Sequence, residues 1–232
     1  MFSLETGLTT HLTPLLRYCL ETTAAKLSDE FHGVFSPETV TRYVEASYAD
    51  VGNRPTVGPN FLPVIVERFA REQLWAVAQS TGVVEKALPE VLFVCERNAG
   101  RSQMAACLAH HVSKGWIAVR SAGSHPDEQI DPTVVTAMAE IGLDVSHEFP
   151  KPLTDAVIRA ADVVVTLGCG DACPVYPGKR YQDWPVDDPA GQALDVVRGI
   201  RYELYHRVWE LIETLVPATN LLELQRPPGG KS

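Results

Sequence analysis

The chain has 232 residues, of which 45% are hydrophobic and 21% are charged. This composition is that of a globular protein and excludes a disordered, collagen-like or low-complexity chain. The formal net charge is −9 and no cluster of Lys or Arg stands out, so we expect no nucleic-acid or membrane partner. A small anion can still be bound locally, because a few oriented donors dominate at short range.

The cysteines and the start of the chain indicate the compartment. No apolar run is long enough to span a membrane, and no early basic residue precedes an apolar run as in a secretory signal. The five cysteines form an odd set without framework-like spacing, which predicts a reducing cytoplasm. No paired Cys or His has the spacing of zinc ligands, so no metal site is predicted.

Residues 1–84 have the pattern of helices only. One helix is predicted to start at Thr13-Pro14 and a second at Ser36-Pro37, because each pair places a capping hydroxyl before a proline. The second ends at Gly52–Pro55, and a third covers about 60–79. We therefore predict a small all-α three-helix bundle, whose thin core leans on the rest of the chain or on another copy.

Residues 88–218 alternate strand-like apolar runs with helical segments. The predicted strands cover 91–94, 117–119 and 163–165. One helix is predicted to start at Ser102, a second to cover 132–141, and a long third helix to end the block. Buried strands that alternate with helices indicate an α/β fold with a parallel sheet covered on both sides. In such folds the site lies at the carboxyl ends of the strands. Residues 219–232 are predicted to be a flexible tail.

The first strand of this block leads through a short loop, residues 95–102, into a helix. Such a loop points backbone N–H groups into one hollow, which suits a tetrahedral oxyanion. Gly100 is expected to allow a tight turn, and Asn98 to hold the loop shape. Gln103 is expected to pack behind the loop. The predicted oxyanion-binding residues are Glu96, Arg97, Asn98, Ala99, Gly100 and Arg101.

Three side chains of this loop carry the predicted chemistry. Arg101 can clamp two oxyanion oxygens through its planar fork. Cys95 lies at the base of the hollow, where the same positive field stabilises a thiolate nucleophile. Ser102 can donate a hydrogen bond to that sulfur. A leaving oxygen also needs a proton, and an Asp on the Pro-stiffened loop 183–191 is a plausible general acid.

Four segments together resemble the low-molecular-weight tyrosine phosphatase superfamily, and within it the mycothiol-linked arsenate reductases of actinobacteria. They read CERNAGRSQMAA, RSAGS, VVVTLGCGDACP and DWPVDDPAG. The resemblance implies a four-stranded parallel sheet flanked by helices. It also implies that Cys95 is the nucleophile, Arg101 the oxyanion clamp and Ser102 the support of the thiolate. The acid is then Asp188, which directly precedes Pro189.

The resemblance also implies a mechanism and its partners. The Cys95 thiolate attacks arsenate, a second thiol resolves the adduct, and arsenite leaves. No cofactor stays bound: the second thiol is the co-substrate mycothiol, which mycoredoxin regenerates. In the thioredoxin-linked branch two protein cysteines relay the disulfide instead, and Cys169 and Cys173 are the candidates for such a relay.

Two further features of the chain bear on the resemblance. Glu96 and Arg97 occupy positions that relatives usually fill with a neutral residue and often a His. A carboxylate there weakens oxyanion binding unless Arg97 or a neighbour neutralises it. The helical block resembles a three-helix addition that is associated with dimerisation, so a homodimer through the N-terminal helices is expected.

Two other functions remain open at this point. A tyrosine phosphatase can use the same Cys95, Arg101 and Asp188, but such enzymes tend to place aromatic residues after the Asp-Pro. Here Ala190-Gly191 follow, which favours a small inorganic substrate. A non-catalytic oxyanion-sensing or assembly protein is the other alternative, and it predicts unchanged function in Cys95→Ser.

Overall fold

The computed structural model describes residues 12–52, 61–168, 173–218, 220 and 224. The chain divides into two compact units, residues 1–84 and residues 85–232. The first unit contains three helices: α1 (Pro14–Glu30), α2 (Pro37–Val51) and α3 (Leu62–Ser80). The second contains, in chain order, β1 (Glu90–Cys95), α4 (Arg101–Ser113), β2 (Ala118–Gly123), α5 (Pro132–Ala139), α6 (Asp155–Ala160), β3 (Val163–Thr166), β4 (Arg180–Asp183) and α7 (Leu194–Leu215).

The helices of the first unit start where the capping pattern predicts. The Thr13 hydroxyl accepts from the N–H of Leu16, and the Ser36 hydroxyl accepts from the N–H of Thr39. The three helices pack on one another, and their shared core includes Leu27, Val40, Val66, Phe69 and Leu74, each at most 1% exposed. The predicted third-helix start at residue 60 and the segment 53–55 lie outside the described residues.

The second unit is built on a four-stranded sheet in the order β2-β1-β3-β4, and every neighbouring pair is parallel. This confirms the expected four-stranded parallel sheet. All six residues of β1 are buried, because a central strand with both faces covered needs a continuous apolar run. The strand ends at Cys95, opposite Gly123 of β2.

Helices cover the sheet. A single apolar cluster joins Val91 and Phe93 of β1 to side chains of α4, α5 and α7. Successive side chains of a strand point to opposite faces, so the buried Leu92 and Val94 face the other way. α6 contacts β1 and lies outside that cluster. The sheet therefore carries helices on both faces, as predicted.

Three elements differ from the predicted pattern. β2 covers Ala118–Gly123 instead of 117–119, since its last four residues, Arg-Ser-Ala-Gly, lack an apolar run. β4 has the sequence RYQD and no fully buried residue, so no hydrophobic run marked this edge strand. The six-residue α6 is too short to show helical periodicity. Among the described residues, no helix is long and apolar enough to cross a membrane.

Candidate active site

The sulfur of Cys95 lies under the loop that joins β1 to α4. The residue is 2% exposed. The backbone N–H of Asn98 donates to Cys95 Sγ over 3.2 Å, and Ser102 Oγ lies 2.9 Å from the same sulfur. No side chain caps the start of α4, so its first N–H groups stay available to an anion above the sulfur.

Asn98 holds this loop, and its amide orientation is fixed by the groups around it. Its Oδ1 accepts from the backbone N–H of Lys151 over 2.7 Å, and its Nδ2 donates to Ser102 Oγ over 2.8 Å. Because the Ser102 oxygen already accepts one hydrogen bond, its own hydrogen is free to point at the sulfur. Asn98 has a φ of 47°, a left-handed conformation that Asn tolerates better than most residues.

Gln103 belongs to the same network, although the sequence indicated only a packing role. It is 2% exposed. Its Nε2 donates to Asn98 Oδ1 over 2.9 Å and to the carbonyl of Phe149 over 3.0 Å. A directed series of hydrogen bonds thus runs from Gln103 through Asn98 and Ser102 to Cys95. The signal in the sequence is a polar side chain on the buried side of a helix directly after the loop.

Arg101 is the first residue of α4. Its side chain is buried, and the residue is 8% exposed. Its Nη2 donates to Asp188 Oδ2 over 3.0 Å, and its Nη1 lies 3.5 Å from the carbonyl oxygen of Val186. A Cβ at Gly168, just after β3, would lie 2.5 Å from the same Nη1. The guanidinium is thus held between segments that follow β3 and β4.

Asp188 contacts the loop that follows Cys95, whereas its neighbour Asp187 is exposed. Asp188 Oδ1 accepts from Arg97 Nη2 over 2.9 Å and from the backbone N–H of Ala190 over 3.0 Å. The loop that carries it is anchored by Trp184, which is 5% exposed and donates its backbone N–H to the Thr166 carbonyl. The carboxyl group therefore lies against Arg97 and Arg101, the two arginines that follow Cys95.

Two glycines let these segments come together. The expected reason for Gly100 was a tight turn, but its φ is −137°, so no left-handed conformation requires glycine there. Instead, a Cβ at Gly100 would lie 2.6 Å from Pro189 Cγ. A Cβ at Gly123, at the end of β2, would lie 2.7 Å from the Glu96 carbonyl oxygen. Both positions exclude a side chain so that the loop can be approached closely.

The two charged residues after Cys95 have different surroundings. Arg97 was one of the groups that could neutralise Glu96, and it pairs with Asp188 and, more distantly, with Asp127 at 3.9 Å. Glu96 is exposed, and its backbone carbonyl accepts from the N–H of His125. The exposed carboxylate is screened by water, which reduces its effect on an anion in the hollow.

Besides Cys95, the second unit contains three cysteines: Cys107, Cys169 and Cys173. Cys169 lies outside the described residues, while Cys173 is half-buried. Burial, followed by the charges of Glu148 and Asp144, raises the pKa of Cys107 to about 11, so that thiol stays neutral at neutral pH. Within the described ranges, no group of three or more His, Cys, Asp or Glu residues has the geometry of a metal site.

The fold and the Cys-loop-Arg site define the class of protein. Residues 90–225 match the family described as low molecular weight phosphotyrosine protein phosphatase, which is more than half of the chain. The chain belongs to this family. Residues 20–78 match a second family, described as the N-terminal domain of protein-tyrosine-phosphatase-like proteins.

Several similar proteins within this class are arsenate reductases. A glutaredoxin arsenate reductase from Synechocystis is 38% identical over 128 residues, which are 54% of this chain and 97% of that protein. A solved thioredoxin-dependent arsenate reductase from Corynebacterium glutamicum is 42% identical, covers 85% of this chain and 96% of its own, and has a TM-score of 0.76. An arsenate reductase solved in a phosphate-binding state is 36% identical, covers 55% of this chain and 99% of its own, and has a TM-score of 0.51.

Proposed function

We propose that this protein is a thiol-dependent arsenate reductase with Cys95 as its nucleophile. The observation that carries the proposal is the buried Cys95 sulfur at the end of β1, which contacts Ser102 of α4, while Arg101 of the same helix start pairs with Asp188. The arsenate reductases to which the chain is similar support arsenate as the substrate.

The chemistry balances with the residues at hand. The Cys95 thiolate attacks arsenic(V) and forms an S–As bond. One As–O bond breaks, and Asp188 protonates the departing hydroxide, so water leaves. A second thiolate then attacks Cys95 Sγ and forms a disulfide. The electron pair of the broken S–As bond stays on arsenic, which leaves as arsenic(III), and the two thiols are oxidised.

The residues after Asp188 and Pro189 favour a small inorganic substrate over a phosphotyrosine. Ala190 and Gly191 follow directly, so this part of the loop offers no aromatic side chain to an aryl ring. An aryl ring gains much of its binding energy from stacked or edge-to-face aromatic neighbours. A tetrahedral oxyanion needs only the N–H groups and the guanidinium.

The identity of the second thiol is the finer part of the proposal. The sequence resemblance favours mycothiol with mycoredoxin. The thioredoxin dependence stated for the Corynebacterium relative favours the protein's own Cys169 and Cys173, which only three residues separate. In the second route one of them attacks Cys95, the other resolves that disulfide, and thioredoxin reduces the pair.

One experiment tests the reaction and the donor together. Reduced protein is mixed with arsenate and either mycothiol with mycoredoxin or thioredoxin with its reductase, and arsenite is measured directly. We expect arsenite from wild type and none from Cys95→Ser. If Cys169→Ser and Cys173→Ser lose only the thioredoxin-driven reaction, the relay is supported. Efficient hydrolysis of an aryl phosphate without arsenite formation would make the protein a phosphatase.

We also propose that the helical unit joins two copies of the chain. Several large apolar side chains of this unit are exposed, among them Leu15 at 73%, Tyr18 at 66%, Phe61 at 69% and Val64 at 56%. A cavity of about 450 Å³ lies between α1 and α2. Exposed apolar surface of this kind commonly marks an interaction site.

A further inference from the structure

The ion pair between Arg97 and Asp188 joins two loops that lie far apart in the chain. Arg97 follows β1, and Asp188 follows β4. The contact is short, with 2.9 Å between Arg97 Nη2 and Asp188 Oδ1, and 41% of the Asp188 side chain is exposed. The chemistry proposed for Cys95 uses Asp188 but gives no role to Arg97.

The two oxygens of Asp188 have different surroundings. Oδ1 accepts from Arg97 and from the backbone N–H of Ala190, while Oδ2 accepts from Arg101 Nη2. Arg101 is also the side chain that clamps an oxyanion, and its fork is most effective when two of its N–H groups face the anion. An arriving oxyanion therefore competes for the donor of Oδ2 and leaves both donors of Oδ1 in place.

We propose that Arg97 is a positioning residue that holds Asp188 by Oδ1, so that Oδ2 faces the hollow and delivers the proton. This inference rests on the proposed function and adds a role to it. Once Arg101 turns to the oxyanion, Oδ2 is released and takes up a proton from water. As the S–As bond forms and one As–O bond breaks, that proton moves from Oδ2 to the departing hydroxide, and water leaves. Arg97 and the Ala190 N–H keep the resulting carboxylate in place. Arg97 thereby acts through Asp188 and does not touch the oxyanion.

A direct role of Arg97 in anion binding predicts different kinetics. A residue that binds substrate equally in the ground state and the transition state changes KM, whereas one that positions the acid changes kcat. General acid catalysis contributes about 10²–10⁴-fold in rate, and loss of the acid's position should remove part of that factor.

The kinetic test compares Arg97→Ala and Arg97→Lys with Asp127→Asn, which removes the longer ion pair of Arg97 without touching Asp188. Arg97→Ala should lower kcat for arsenite formation by about tenfold and change the arsenate KM by less than about twofold. Arg97→Lys keeps the charge and one donor, so it should recover part of kcat. Asp127→Asn should change kcat by less than about twofold.

Two further measurements make the test decisive. In an Asp188→Asn background, Arg97→Ala should cause no additional loss, because two residues that act in one step are not additive. Amide hydrogen exchange at Ala190 should accelerate in Arg97→Ala, since Asp188 Oδ1 is then less firmly held. A raised KM at unchanged kcat, a full further loss in the Asp188→Asn background, or unchanged Ala190 exchange would overturn the inference. The exchange measurement needs no turnover, so it tests whether Arg97 holds Asp188 in place even if wild type forms no arsenite.

Discussion

At the scale of single residues, the position of the sulfur depends on neutral hydrogen bonds behind the loop. Cys95, Arg101 and Ser102 could be predicted from the sequence, because their spacing between a strand and a helix is itself the signal. The partners of Gln103 could not, since it donates to the Phe149 carbonyl and shares Asn98 Oδ1 with the Lys151 N–H. Those groups reach the loop only through the tertiary fold.

A substitution at Gln103 separates positioning from packing. Gln103→Met keeps the shape but leaves Asn98 Oδ1 and the Phe149 carbonyl each with one donor fewer. We expect the free energy of unfolding to fall by roughly 1–3 kcal/mol. Arsenite formation should fall about tenfold, the factor that corresponds to ~1.4 kcal/mol. Urea unfolding and steady-state kinetics measure the two effects.

Gln73→Leu is the matched control for this prediction. Gln73 is also a buried helical glutamine, at 6% exposure, but lies on α3 in the helical unit. The Gln73→Leu variant should lower the free energy of unfolding and leave arsenite formation unchanged. If Gln103→Met forms arsenite at the wild-type rate and its Cys95 reacts with iodoacetamide as fast as in wild type, Gln103 has a packing role only.

At the scale of elements, the strand ends bring the site together. Cys95 ends β1, Gly123 ends β2, Gly168 follows β3 and the Asp188 loop follows β4. The starts of α1 and α2 and the buried central strands could be predicted, because capping residues and apolar runs are local signals. β4 could not, since an edge strand is specified by its pairing with β3 more than by its own residues.

Glu140, which directly follows α5, forms ion pairs with Arg198 and Arg201 of α7. These ion pairs make the stability of the second unit depend on pH. Hydrogen bonds from Arg198, together with its charge and that of Arg201, lower the pKa of Glu140 from 4.5 to about 2. A carboxyl whose folded-state pKa is lowered stabilises the fold above its unfolded value, and that contribution is lost as the pH falls. The difference in stability between wild type and Glu140→Gln should therefore be full above about pH 4.5 and decline toward pH 2.

Chemical denaturation from pH 7 to pH 3 measures this difference. Glu203→Gln is a suitable control, because Glu203 pairs with Arg207 within α7 and joins no two elements. The effect should also shrink at high salt, since the ion pair is accessible to solvent. A constant difference between wild type and Glu140→Gln across this range would show that the ion pair does not stabilise the fold.

At the scale of the whole molecule, every side chain assigned to the chemistry lies between Cys95 and Asp188, within the second unit. The change from a helix-only pattern to alternating strands and helices predicts two units from the sequence. The pattern could not predict how the units act together, because that depends on surfaces and not on periodicity.

Removal of residues 1–84 tests the separation of roles. The fragment 85–232 should fold cooperatively and form arsenite with a kcat within about threefold of the full chain, because its core is its own. It should behave as a monomer in light scattering, whereas the full chain should form a dimer. An insoluble or unfolded fragment, or identical assembly of both proteins, would contradict independent roles for the units.

The hollow proposed above Cys95 selects for a negatively charged group with several oxygen acceptors, because amide hydrogens and a guanidinium donate hydrogen bonds to oxygen and do not distinguish the central atom. Phosphate offers the same shape and charge as arsenate, so occupancy alone cannot separate the two anions. Selection must follow binding, since a thiol can reduce arsenic(V) but not phosphorus(V). An enzyme of the proposed function therefore works against a permanent competitor, and its rate in a cell follows the ratio of arsenate to phosphate rather than arsenate alone.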